Sequence, residues 1–130
     1  MSARLVVLAS GAGSTLGAVL DAVASGQLPA EVVAVGSDRP GCPALARAEA
    51  AGVPTFAVPL SQFADRADWN LAFARALADH RPDLVVCAGF MRVFGPSVVH
   101  RFRIVNTHPA LLPDFPGAHA ERWGDGWAGA

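Results

Sequence analysis

Apolar and polar positions alternate along this chain in blocks that change period. Arg4 to Ser10 is a near-continuous apolar run, as expected for a strand buried on both faces. Ser14 to Ser25 carries Leu16, Val19, Leu20 and Val23, the spacing of an amphipathic helix, with Gly26 placed to end it. Glu31 to Gly36 predicts a second strand, Pro43 to Ala51 a helix closed by Gly52, and Thr55 to Val58 a third strand. Asp68 to His80 is the clearest helix, with Trp69, Ala72, Phe73, Ala76 and Leu77 on one face. Asp83 to Ala88 predicts the fourth strand, Pro96 to Arg101 a short helix with Pro at its start, and Arg103 to Asn106 the fifth strand.

Five strands separated by helices predict an α/β fold with an open, mainly parallel, Rossmann-like sheet. Right-handed crossovers put the C-terminal ends of all strands on one edge, where ligands bind in such sheets. Three segments fall at that edge. Ser10-Gly-Ala-Gly-Ser-Thr15 follows strand 1, Gly89-Phe-Met-Arg-Val-Phe94 follows strand 4, and Asn106-Thr-His-Pro-Ala-Leu-Leu-Pro113 follows strand 5.

The third segment carries chemistry. Side chains two apart on an extended chain share a side, so Asn106 and His108 can face one reacting group. Asn can donate to a developing oxyanion, and His can move a proton near neutral pH. The alternative is a strand-end Asn that caps a turn and a His that bonds the loop. In the first segment, Gly11 and Gly13 allow close backbone approach, and Ser14 and Thr15 open a helix whose N–H groups suit a phosphate. Two other readings compete: a tight strand–helix turn with Ser14 as N-cap and no ligand, or a loose dinucleotide turn with Asp38 on a ribose.

Bulk composition narrows the classes. The chain has 130 residues, the size of one domain, with 52% hydrophobic and 16% charged residues. No apolar run approaches the roughly 20 residues of a membrane helix, and Leu5 to Ala9 is too short for a signal-peptide core. Net charge is −1 without a basic cluster, which favours neither nucleic acid nor membrane. Cys42 and Cys87 read as reduced thiols of a cytoplasmic protein, and the four histidines form no metal-ligand pattern, so no metal is expected.

Ser-Gly-Ala-Gly-Ser-Thr, Ala-Gly-Phe-Met-Arg and Asn-Thr-His-Pro-Ala-Leu-Leu-Pro-Asp-Phe-Pro-Gly, in this order, resemble the phosphoribosylglycinamide formyltransferases of purine synthesis. The resemblance runs from about Arg4 to His119. It implies transfer of a formyl group from the co-substrate 10-formyltetrahydrofolate to the amine of phosphoribosylglycinamide, by a monomer or homodimer. It further implies that Gly13, Ser14 and Thr15 hold the substrate phosphate, although the family often has Asn where Thr15 stands. Arg66, Met91, Arg92, Val93, Phe94 and Asn106 would line the folate site, and Asn106 and His108 would be catalytic. The family continues with a loop whose Asp orients the catalytic His. Asp125 stands in a different context and does not inherit that role. Residues 1–120 are thus expected to form the formyltransferase domain, and 121–130 a non-matching, disordered tail. The polypeptide is expected to be a C-terminally truncated or frame-shifted fragment of low or no activity. Alternatives are catalysis like that of formyltetrahydrofolate deformylase or methionyl-tRNA formyltransferase, or a non-catalytic phosphate- or dinucleotide-binding α/β module.

Overall fold

A computed structural model describes residues 3–107. His108 and the tail expected over 121–130 lie outside the described residues. The elements are β1 (Ala3–Leu8), α1 (Ser14–Ala24), β2 (Ala30–Ser37), α2 (Pro43–Ala50), β3 (Thr55–Ala57), α3 (Arg66–Asp79), β4 (Leu84–Ala88), α4 (Pro96–Val99) and β5 (Ile104–Thr107). A 3-10 turn at Leu60–Gln62, unpredicted from sequence, joins β3 to α3.

All strand pairs are parallel, in the order β3-β2-β1-β4-β5. The predicted α/β class and five-strand sheet are therefore present. The chain winds outward through β2 and β3, then returns across β1 to β4 and β5, so the switch point lies between β1 and β4. Alternate strand residues feed two cores. Leu5, Val7, Val32, Val35 and Val86 pack with Leu16 of α1 and Ala44, Leu45 and Ala48 of α2. Val6, Leu8, Ala34, Val85 and Ile104 pack with α3 and α4 on the other face. Both faces are covered, which explains why these strands are apolar at successive positions.

The register between β1 and β2 slips once, because Leu5 faces Val32 while Val6 faces Ala34. The extra residue, Val33, is partly buried against the α3 side. Gly36 permits a second local feature. A Cβ there would overlap the ring of Phe56, which stacks on His80 and meets Phe73 edge to face. Gly36→Ala is expected to destabilise the fold by about 1–3 kcal/mol, the usual cost of overpacking, as read by thermal or urea denaturation. Unchanged stability would show that the Phe56 ring moves aside freely.

α3 starts earlier than predicted. The Asp65 carboxylate accepts from the Asp68 N–H at 2.8 Å and caps the helix, so Arg66 is its first residue. Its buried face is Trp69, Asn70, Phe73, Ala74 and Leu77, with Ala72 and Ala76 only partly buried. Asn70 and Ala74 thus belong to a face from which the hydrophobic pattern omitted them.

Candidate functional site

The three segments singled out in the sequence emerge from the C-terminal ends of β1, β4 and β5. Gly36, Leu8, Cys87 and Asn106 form one row across four strands. At roughly 4.8 Å per strand, Asn106 stands about 10 Å from Leu8, the last residue of β1. The Gly-rich turn begins two residues beyond Leu8.

That turn is shaped by its neighbours. Gly11 carbonyl accepts from Ala44 N–H at 3.0 Å, and Ala12 carbonyl accepts from Arg47 Nε at 3.0 Å. With two carbonyls held toward α2, the turn delivers Gly13 in the left-handed region, φ 80°, as the N-cap of α1. No side chain caps this helix. The competing reading with Ser14 as N-cap does not hold: Ser14 is the first helical residue, and it is exposed. Thr15 is half-buried beside it. Gly17 N–H bonds back to Gly13 carbonyl at 2.9 Å, while the N–H groups of the first turn have no partner among the described residues. Such a terminus suits an anion.

Gly13 is also a packing residue. A Cβ there would sit 2.8 Å from Ala44 Cα and 2.9 Å from Ala44 Cβ, whereas one on Gly11 would meet nothing within 4 Å. Gly13→Ala is expected to lower stability by about 1–3 kcal/mol through overlap with α2 and the left-handed backbone. Gly11→Ala should leave the melting temperature within a degree or two of the parent, by the same reasoning. Equal melting temperatures for both variants would contradict this geometry.

The segment after β4 alternates in burial. Phe90 and Phe94 are buried, and Met91 and Val93 are exposed. Phe90 and Phe94 stack with centroids 5.1 Å apart, and Phe94 also packs on Trp69 at 5.4 Å and Phe73 at 4.9 Å. The predicted lining residue Phe94 thus anchors the segment in the core, while Met91 and Val93 are displayed. Asn70 fixes the segment's far end: its Oδ1 accepts from Gly95 N–H at 2.8 Å, and its Nδ2 donates to Arg66 carbonyl at 2.8 Å. Arg66 reaches Val93 carbonyl at 3.4 Å and lies over the Trp69 ring at 5.3 Å. Arg66 is thus brought together with the segment it was predicted to accompany.

Asp38 was weighed as a ribose ligand of a dinucleotide. Instead its Oδ1 accepts from Ser10 Oγ at 2.7 Å and its Oδ2 from Arg92 Nε at 2.8 Å. The carboxylate is fully buried and already engaged at both oxygens. The dinucleotide reading loses its second support, and Arg92 acquires a partner that the sequence did not indicate.

Asn106 differs from every other polar side chain in this region. Both of its amide atoms are buried and lack a hydrogen-bond partner among the described residues. A buried amide without partners costs about 1–3 kcal/mol. His108 follows outside the described residues. Cys87, level with Asn106, is fully buried, and burial pushes its thiol well above the ordinary range. Among the described residues no group of His, Cys, Asp or Glu can hold a metal ion, and no helix is long and apolar enough to cross a membrane.

Comparison with known proteins gives a consistent result. A family model described as formyl transferase matches residues 3–128. The phosphoribosylglycinamide formyltransferase of Mycobacterium tuberculosis strain H37Rv is 57% identical over 119 residues, covering 90% of this chain and 54% of that relative. The Escherichia coli K12 protein of the same name is 38% identical over 121 residues, covering 92% and 57%. The crystal structure of glycinamide ribonucleotide transformylase 1 from Symbiobacterium toebii superposes with a TM-score of 0.82 at 39% identity, covering 93% of this chain and 58% of that one. The chain therefore spans a little over half the length of these curated relatives.

Proposed function

The chain belongs to the formyl transferase family, and from that premise we propose that it serves formyl transfer from 10-formyltetrahydrofolate to the amine of phosphoribosylglycinamide. The observation that carries this reading is the buried Asn106 amide at the ligand-binding edge of the sheet, which has no hydrogen-bond partner among the described residues. A transition-state oxyanion supplies an acceptor for its Nδ2.

The chemistry is an amine addition to a formyl carbon. The glycinamide nitrogen bonds to that carbon, the carbonyl oxygen gains charge, and the tetrahedral species collapses with loss of the folate N10. One proton leaves the amine and one reaches N10. Asn106 Nδ2 donates to the oxyanion, and His108 shuttles the proton. Gly13, Ser14 and Thr15 receive the phosphate on the uncapped N–H groups of α1. The span of about 10 Å from the end of β1 to Asn106 suits a phosphoribosyl group stretched between the two. Met91, Arg92 and Val93, with Arg66 and Asn106, face the folate, and Phe94 anchors their backbone. Much of the acceleration comes from alignment of the two substrates. On this reading the chain acts on small molecules in the cytoplasm, as a monomer or homodimer, and uses no metal.

The test is a formyl-release assay, on a version of the chain extended to the length of its relatives, with 10-formyltetrahydrofolate and three acceptors: phosphoribosylglycinamide, water and methionyl-tRNA. Formyl transfer to the glycinamide alone is the expected result. Release into water at the same rate would instead assign a deformylase, and binding of neither substrate would leave a non-catalytic module.

A further inference from the structure

Asp38 and Arg92 form the one ion pair found among the described residues, and the oxyanion chemistry above does not use it. The Asp38 side chain is 0% exposed and that of Arg92 is 37% exposed. Asp38 stands one residue beyond the C-terminal end of β2, close to the switch point between β1 and β4. Burying a carboxylate is costly, and apolar residues of similar volume often stabilise a fold as well or better. A buried carboxylate at a ligand-binding edge therefore asks for a role other than packing.

Its partners indicate which. The Ser10 hydroxyl has one proton and donates it to Asp38 Oδ1 at 2.7 Å. A lone pair of the same oxygen accepts from Met91 N–H at 2.8 Å. Ser10 N–H donates to Gly89 carbonyl at 3.3 Å. Arg92 Nε, on the residue after Met91, donates to Asp38 Oδ2 at 2.8 Å. Two consecutive residues of the segment after β4 are thus tied to one carboxylate, one directly and one through Ser10. Ser10 itself begins the Gly-rich turn. The three strand ends share a single buried hydrogen-bonded unit, which links the proposed phosphate side to the proposed folate side.

We propose that Asp38 is a positioning residue: it orders the Ser10 hydroxyl and the Arg92 guanidinium, and so holds the Met91–Arg92 backbone in the one conformation that receives the folate co-substrate. This rests on the functional reading above for the identity of the ligand, but not for the ordering of the segment. Without the carboxylate, the Ser10 proton and Arg92 Nε lose their common acceptor. Met91 N–H then depends on a hydroxyl free to rotate.

The experiment compares Asp38→Asn, Asp38→Ala and Ser10→Ala with the parent by hydrogen–deuterium exchange of the unliganded protein. Titrations with 10-formyltetrahydrofolate and, separately, with phosphoribosylglycinamide complete it. Asp38→Asn keeps the volume and guards against simple failure to fold. Exchange of the 89–94 segment is expected to rise roughly ten- to a hundredfold in all three variants, the equivalent of one charge-assisted hydrogen bond. Exchange in β1 and β4 should stay at the parent rate. Folate affinity should fall by a similar factor, and phosphoribosylglycinamide affinity by less than about threefold, since the first turn of α1 is untouched. An unchanged 89–94 segment, or acceleration spread evenly over β1 and β4, overturns the proposal by making Asp38 an ordinary structural residue. Local acceleration in the variants, together with a parent protein that binds neither substrate, would support the positioning role and sink the functional reading instead.

Discussion

Asn106→Leu is expected to leave the melting temperature of the protein unchanged or raise it, while formyl transfer by a version extended to the length of its relatives falls by roughly two to three orders of magnitude. The two effects have one cause. The Asn106 amide is buried with no hydrogen-bond partner among the described residues, and a buried amide left so contributes a desolvation cost with no compensating bond. Leu has similar volume and removes that cost. Its neighbours on the row, Leu8 and Cys87, are apolar and buried, which suits an aliphatic replacement. In the reaction, however, the amide donates to charge that appears only in the transition state. Losing such an interaction lowers kcat and kcat/KM together and leaves phosphoribosylglycinamide affinity nearly alone. Thermal melts paired with initial-rate kinetics read both halves. A variant that loses several degrees of stability and keeps its rate would show that Asn106 is a structural residue with an unseen partner.

Sequence pattern served best where one physical rule dominated. β1, β2 and β4 are covered on both faces, so their apolar runs were unambiguous, and the parallel five-strand sheet followed from the alternation of strands and helices. It served worst where a polar residue acts inside the fold. Asn70 lies beside Trp69 on α3, and hydrophobic counting passes over it. Its signal was an Asn in a helix interior, a poor helix former that bonds back to the carbonyl four residues earlier. Ser14 looked like an N-cap because Ser is common there. Gly13 took the position because the turn needs a positive φ and close contact with Ala44. Asp38 was read against a sugar because nothing in one-dimensional spacing reveals that Ser10 and Arg92, 28 residues before it and 54 after it, close on its two oxygens. By contrast, the proposed site segments were visible because three loops with unusual chemistry all follow strands. The parallel topology then fixes their common edge.

The second large effect is expected at His108, two residues beyond Asn106. Formyl transfer requires a proton to leave the attacking amine and one to reach the departing folate nitrogen. An imidazole can do both near neutral pH, because neither of its protonation states is costly there. His108 follows Asn106 by two residues, and the register of β5 fixes where Asn106 stands on the sheet edge. His108→Ala in a version of the chain extended to the length of its relatives is therefore expected to lower kcat by roughly two to four orders of magnitude, the range for removal of a positioned acid–base. Affinity for phosphoribosylglycinamide should be nearly unchanged, because its phosphate is assigned to Gly13, Ser14 and Thr15 rather than to the imidazole. The double variant Asn106→Leu/His108→Ala should lose much less than the product of the single losses, since the two groups act on one tetrahedral species and their effects are not independent. Steady-state kinetics on the four forms of this cycle decide the matter. Strict multiplicativity of the two losses would place the residues in separate steps. A His108→Ala variant with an undiminished kcat would remove the proton shuttle from the mechanism.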